Sequence, residues 1–269
     1  MQHLQHPGRV LFAAGLTGLG ILGLVYGDFA LVWQPVPKWV PARELLAYIS
    51  GTLLLAGGAG LLWDRTAVLA SRTLLVYIFL WLLLLKVPDV LTAPTVEASW
   101  LGCGEIGVIL AGAWVLFAAL SGPMAGAGLN LITGANGLRG ARVLFAIALP
   151  AIGLSHFVYV EQTAGFVPAW LPWHVGWAYL TGAGNIAAGL AVFFSILPRL
   201  AATLEAAMMS AFTLLIWLPG VMLAPTDRLQ WTALAVSWTI ASGAWVVADS
   251  YSGMPWIAIG SSAKAAPSN

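Results

Sequence analysis

Charge is what this sequence has least of. Asp, Glu, Lys and Arg make up 8% of its 269 residues, where soluble domains carry about a quarter. Hydrophobic residues make up 60% and the mean hydropathy is +0.90, more apolar surface than a globule of this length can bury. The uncharged remainder must face lipid. Cysteine is nearly absent too: Cys103 stands alone, which excludes an internal disulfide and a Cys-x-x-Cys redox pair. Basic clusters are missing and the net charge is +1, so the electrostatic footprint of nucleic-acid binding is not there. Of the four histidines, His3 and His6 lie in the N-terminal tail, leaving His156 and His174 for any membrane-embedded site. A bis-histidine haem in the bilayer core is poorly supported.

What is present is a series of apolar runs of about 20 residues, the length that crosses a bilayer as a helix. They fall near 9–30, 44–63, 67–88, 98–120, 142–160, 174–194, 201–223 and 230–249. The fold class is therefore an all-α membrane protein with about eight transmembrane helices. Glycines inside the runs, such as Gly15, Gly18, Gly20, Gly23 and Gly27, suit close backbone approach between helices in lipid. Arg9 ahead of the first run imitates a secretory signal, but the run has an internal counterpart and is expected to be retained.

That counterpart is part of a long self-similarity. Arg9-Val10-Leu11-Phe12-Ala13 recurs as Arg142-Val143-Leu144-Phe145-Ala146, a displacement of 133 residues (142 minus 9) that also relates Asp28 to Glu161. From Trp39 onward the displacement is 131 (170 minus 39): Trp39/Trp170, Tyr48/Tyr179, Gly51/Gly182, Pro88/Pro219, Trp100/Trp231 and Gly112/Gly243. Such register over four helices predicts two parallel four-helix repeats, an even number per unit keeping the copies in the same orientation. The expected organisation is a first unit over 1–120, a glycine-rich cytoplasmic linker over 121–141, a second unit over 142–258 and a tail over 259–269. Within the linker, Thr133 to Gly140 imitates a dinucleotide-binding turn, but a membrane helix follows it where a βαβ unit is needed. Arg9, Arg65, Arg72, Arg139, Arg142, Arg199 and Lys264 lie on one side and Lys38, Arg43, Lys86 and Arg228 on the other, placing both termini in the cytoplasm.

Candidate sites come from polar residues at membrane depth. Asp28 and Glu161 place a carboxylate at the outer end of the first helix of each copy, as a cap on the outer connection or as part of a site. The second copy adds His156 in place of Gly23 and His174 in place of Arg43. His156, Glu161 and His174 could converge as a metal site or as a quinone-contacting proton relay, or His156 could be a satisfied structural histidine. The first copy has Lys86, Asp89 and Glu105 where the second has Trp217, Gly220 and Val236, and a Lys86–Glu105 ion pair would neutralise both ends. All these groups lie in the outer half, which argues against an ion or proton channel. The Pro/Trp segments 34–41 and 165–174 read as interfacial lids.

Gly153-Leu154-Ser155-His156-Phe157, then Phe166-Val167-Pro168-Ala169-Trp170-Leu171-Pro172, Trp177-Ala178-Tyr179-Leu180-Thr181-Gly182 and Ala187-Ala188-Gly189-Leu190, resemble the DoxX-like membrane family. The resemblance covers 142–194 clearly and 9–63 more weakly. Members have one four-helix unit, so this chain is similar to a tandem fusion of two. Many carry an acidic residue near the middle of the second helix, where this chain has Asn185 and Leu54. Some relatives are the membrane subunit of a thiosulfate:quinone oxidoreductase and others associate with redox-stress proteins. The resemblance therefore implies a quinone-associated subunit of a redox complex in a bacterial-type inner membrane, with electrons arriving from a partner protein. His156 would contact quinone with Glu161 as its partner, and His174, Trp170 and Tyr179 complete the expected cofactor-contacting set. The competing expectation is a non-enzymatic carrier of a lipid or small molecule, or a membrane scaffold for partner proteins.

Overall fold

A computed structural model describes residues 7–123 and 128–259. His3, His6, residues 124–127 of the expected linker, Lys264 and the rest of the tail from 260 lie outside the described residues. The chain is an all-helical membrane protein, with no strand among the described residues. Inside lipid every backbone N–H and C=O must be satisfied within the segment, and helices do this locally.

The elements are α1 (Pro7–Tyr26), α2 (Arg43–Gly60), α3 (Asp64–Trp81), α4 (Val87–Thr92), α5 (Glu97–Ser121), α6 (Leu129–Ile132), α7 (Gly134–Val158), α8 (Val160–Phe166), α9 (His174–Phe193), α10 (Pro198–Phe212), α11 (Leu218–Leu223) and α12 (Arg228–Asp249). A π-helical turn, Leu82–Lys86, joins α3 to α4, and another, Thr213–Trp217, joins α10 to α11. Six of the helical stretches are long and apolar enough to cross a membrane: α1, α3–α4, α5, α7, α10–α11 and α12. Helices α2 and α9 span 18 and 20 residues and fall outside that group of six.

The π turns have a local cause. Pro88 and Pro219 sit just inside α4 and α11. Each lacks a donor and crowds the carbonyl four residues back, and widening the preceding turn accommodates the ring. The helix expected to stop near 88 therefore runs on to Thr92.

Helix α7 is a correction in the other direction, beginning at Gly134 rather than near 142. Its glycines are packing residues: a Cβ on Gly137 would meet the Ile132 carbonyl at 2.3 Å, and one on Gly140 would meet the Trp114 ring at 2.6 Å. A glycine-rich stretch reads as loop in sequence, yet here it lets α7 lie against α5 and α6.

Helices α5 and α12 form the centre, with 72% and 67% of their apolar stretches buried, whereas α3–α4 and α10–α11 bury only 28% and 22% and turn the rest outward. Helix α1 packs on α2 and α12, α7 on α9 and α5, and α5 meets α12. Gly112 of α5 and Gly243 of α12 touch where the two helices cross. Cationic residues at the end opposite the α1–α2 loop bind the α2–α3 connection and the segment after α12. Arg9 donates to the Leu61 carbonyl (2.6 Å) and pairs with Asp64 (3.0 Å), and Arg199 donates to the Met254 carbonyl (2.7 Å). Arg142 stacks over Tyr251, 3.9 Å from the ring centre.

Candidate functional site

Helices α7 and α9 cross at Gly153 and Gly182, where a Cβ on Gly153 would lie 2.6 Å from the Gly182 carbonyl oxygen. This close approach puts His156, one turn further along α7, against Thr181, with 2.8 Å between Nδ1 and Oγ1. The Thr181 hydroxyl lies 2.8 Å from the Trp177 carbonyl, an acceptor only. Having one proton to give, Thr181 donates there and receives from His156, so we assign the Nδ1–H tautomer, with Nε2 left as an acceptor.

His156 lines a cavity of about 700 Å³. Its walls come from α7, α9 and α10, its roof from Pro168, Trp170 and Leu171, and its far side from Phe212 and Trp217. The lining is overwhelmingly apolar, with Thr181, Ser155, Tyr159, Gln162 and Thr163 the polar residues beside His156. The Phe212 ring lies 6.0 Å from the imidazole, and Phe166 packs on Trp217 at 5.5 Å. Pro168 and Pro172 keep the roof out of helix, as expected of a lid segment. The short helix α8 before it had no signal of its own in the sequence.

The positions 131 residues earlier in the chain surround a loop. Subtracting 131 from Thr181, Met208, Phe212 and Trp217 gives Ser50, Tyr77, Trp81 and Lys86. All four grip residues 32–34. Lys86 donates to the Val32 carbonyl (3.0 Å), Trp81 to the Trp33 carbonyl (2.7 Å), and the Gln34 amide reaches Tyr77 (2.7 Å) and Ser50 (3.4 Å). Trp33 in turn donates to Glu105 (2.9 Å). The Lys86 and Glu105 charges remain close enough to act on one another, and each also bonds to the loop: Lys86 donates to it and Glu105 accepts from Trp33. Val32 takes a φ of +65° to make the turn, a conformation that costs a β-branched residue energy and that the surrounding bonds hold in place. Asp89 stays half-buried on α4.

Other expected groupings separate. Glu161 is exposed on α8, and neither it nor His174, at the first position of α9, lines the cavity. Among the described residues no three His, Cys, Asp or Glu side chains are grouped to hold a metal. Trp170 is brought to the cavity, whereas Tyr179 faces away and packs on Phe157 at 5.6 Å. Asn185 is buried, its amide donating to the Thr181 carbonyl (2.9 Å). Glu205 was missed: it is a buried carboxylate in α10, away from the outer-half groups. The signal was present, since it is the lone acidic residue in the run 201–223.

Asp28 ties the two halves together. Its carboxylate pairs with Arg43 (2.5 Å) and with Arg228 of α12 (3.1 Å) and caps the Phe29 amide (2.8 Å). Burial pushes the Asp28 carboxyl up, but the Phe29 amide, Arg228 and Arg43 together outweigh it and hold it below the ordinary value. The folded group is the stronger acid, so its stabilisation is complete above the unfolded pKa of about 3.9 and is lost as pH falls through the lower folded value. Thermal unfolding in detergent should show the Tm dropping below about pH 4 in the wild type. Asp28→Asn should start lower and lose that acid-sensitive step. An equal acid response in both would remove Asp28 from the account.

No family model matches the chain, and no curated protein or solved structure matches it either.

Proposed function

We propose that this protein holds a membrane-soluble ligand of the quinol class in the His156 cavity. The observation that carries the reading is the cavity itself: about 700 Å³ of apolar space with one imidazole fixed against Thr181. Pockets of this size and character are the common form of small-molecule sites. A neutral imidazole with Nε2 accepting suits a ligand hydroxyl, and the tryptophans of the lining suit a flat ring. The protein's part is to exclude water, orient the hydroxyl and accept its hydrogen bond at Nε2. In such a site the quinone form would accept two electrons from a partner protein and take up two protons to leave as the quinol, which fits the resemblance to DoxX-like subunits of quinone-reducing complexes.

The architecture we propose around it has about eight crossings, with α2 and α9 added to the six stretches above. It comprises two parallel four-helix units related by the 131-residue recurrence. The spacing of the two π turns (213 minus 82 is again 131) and the contact of Gly112 with Gly243 support it. The positive-residue bias supports an inner-membrane orientation with the roof segments outside.

The test is a titration of the protein in lipid nanodiscs with decylubiquinol, read by quenching of the cavity tryptophans Trp170, Trp177 and Trp217. Saturable quenching is expected, with His156→Ala weakening binding about tenfold, the effect of losing roughly 1.4 kcal/mol. Binding that His156→Ala and Thr181→Val leave unchanged would contradict the assignment. A second reading, carriage of an apolar lipid, draws on the scarcity of polar lining. It predicts tight binding of an alkyl chain with no hydroxyl and indifference to His156→Ala.

A further inference from the structure

Below the cavity lies a carboxyl group that the fold does not need. Glu205 is 2% exposed and Asn185 0%. Neither Glu205 oxygen, nor Asn185 Oδ1, has a hydrogen-bond partner among the described residues. The two lie on α9 and α10, helices that also wall the cavity, though neither residue lines it. On α10, Glu205, Met208 and Phe212 recur at the spacing of one helical face, and Met208 and Phe212 line the cavity. On α9, Asn185 follows one turn after Thr181 and donates to its carbonyl, and Thr181 holds His156. The two helices are antiparallel neighbours, and a Cβ on Gly184 would lie 3.3 Å from the Met208 sulfur. Asn185 and Glu205 therefore lie at similar heights on neighbouring helices, beyond the residues that line the cavity, with the Asn185 Cβ beside Gly153 of α7.

Charged groups from the packed elements are elsewhere. On α10 itself, Arg199 is occupied by the Met254 carbonyl and the Trp256 ring. Helix α9 has only His174 and Tyr179, near its first turns, and α12 has Arg228 and Asp249 at its two ends, bound to Asp28 and to the Gly8 amide. The adjoining π turn has no charged residue. An ionised carboxylate there would lack a counter-charge in a low-dielectric interior, which is very costly, so the stable form is the neutral acid. The positions 131 residues earlier are Leu74 and Leu54, both in the apolar core. Leucine packs at those positions, so an unsatisfied buried acid and amide cost stability that packing alone does not require, as polar residues at functional sites do.

We propose that Glu205 and Asn185 form a proton-binding site under the His156 cavity, holding one exchangeable proton that enters and leaves by way of the cavity. The site itself is independent of the cavity's ligand; the route rests on the cavity reading above.

Infrared spectroscopy of the full chain in nanodiscs tests both parts. The wild type should show a protonated-carboxyl carbonyl band at neutral pH that is lost in Glu205→Gln and in Glu205→Leu. The second variant copies Leu74 and should raise the Tm by about 5 °C by removing an unsatisfied buried polar group. A band unchanged in both variants, or absent from the wild type, would overturn the proton site. Transfer to deuterated buffer should shift the band, and saturating decylubiquinol or the cavity-filling Ala211→Trp should slow that shift about tenfold. A shift equally fast in Ala211→Trp would overturn the cavity route. Failure of decylubiquinol to bind at all would count against the ligand reading alone, because the band and the Ala211→Trp comparison decide the proton site without it.

Discussion

Gly112→Ala should be among the most damaging single-methyl changes in this protein. The added Cβ would stand 2.8 Å from the Gly243 Cα and 3.2 Å from its carbonyl oxygen, both backbone atoms that cannot swing aside. Helices α5 and α12 would have to separate, and they are the most buried pair in the bundle. In lipid there is no hydrophobic force to compensate, because association rests on close packing. Overpacking of this kind costs about 1–3 kcal/mol, and the central position puts this substitution at the upper end. The reciprocal change is milder: a Cβ on Gly243 meets the Val108 carbonyl at 3.2 Å and the edge of Phe12 at 3.5 Å. Size-exclusion chromatography and thermal unfolding in mild detergent should show Gly112→Ala losing monodisperse protein or several degrees of Tm. Gly243→Ala should lose clearly less. Equal tolerance of both would remove the glycine crossing as a determinant of the fold.

Trp33→Ala should have the second large effect, and its meaning is functional as well as structural. Trp33 packs against the core, donates to Glu105 and is held by Trp81 through its carbonyl. Truncation removes an aromatic ring and leaves the Glu105 carboxylate without that donor. Together these should cost roughly 3 kcal/mol, within the range for large aromatic-to-alanine changes. The same substitution empties the space of the indole beside Glu105 and leaves the loop still held through its backbone carbonyls and Gln34 by Lys86, Trp81, Tyr77 and Ser50. A variant that still folds should therefore take up indole, which replaces the lost ring and its N–H, and regain part of its Tm by ligand linkage. Loss of stability with no rescue by indole would mean that the loop, rather than a vacated ring site, accounts for the interactions.

The sequence made the membrane class legible because the demand that lipid places on the backbone is met by long apolar helices, and such runs are visible residue by residue. Pro88 and Pro219 were visible, but their effect was not. Pro88 read as a helix end and Pro219 as an interior residue of its run, whereas a π turn precedes each one. Gly137 and Gly140 read as loop because propensity says nothing about a Trp114 ring waiting to fill the space of a missing side chain. At the site, His156 stood out by replacing Gly23, and Trp170 by recurring with Trp39. Its partner Thr181 did not, since a threonine in an apolar helix is unremarked until the crossing at Gly153 and Gly182 brings it to the imidazole. Lys86 and Glu105 have opposite charges at suitable spacing, and periodicity could not show a tryptophan loop accepting and donating between them. Glu161 and His174 shared a sequence neighbourhood with His156 but lie beyond the lining of the cavity.

The most direct measurement is native mass spectrometry with lipid extraction on protein purified in mild detergent, comparing wild type with His156→Ala and with Ala211→Trp. Co-purified quinol or quinone on the wild type, lost from both variants, is the predicted result. Protein that carries no such ligand, or carries it equally in all three forms, would contradict the claim that the His156 cavity is a binding site for it.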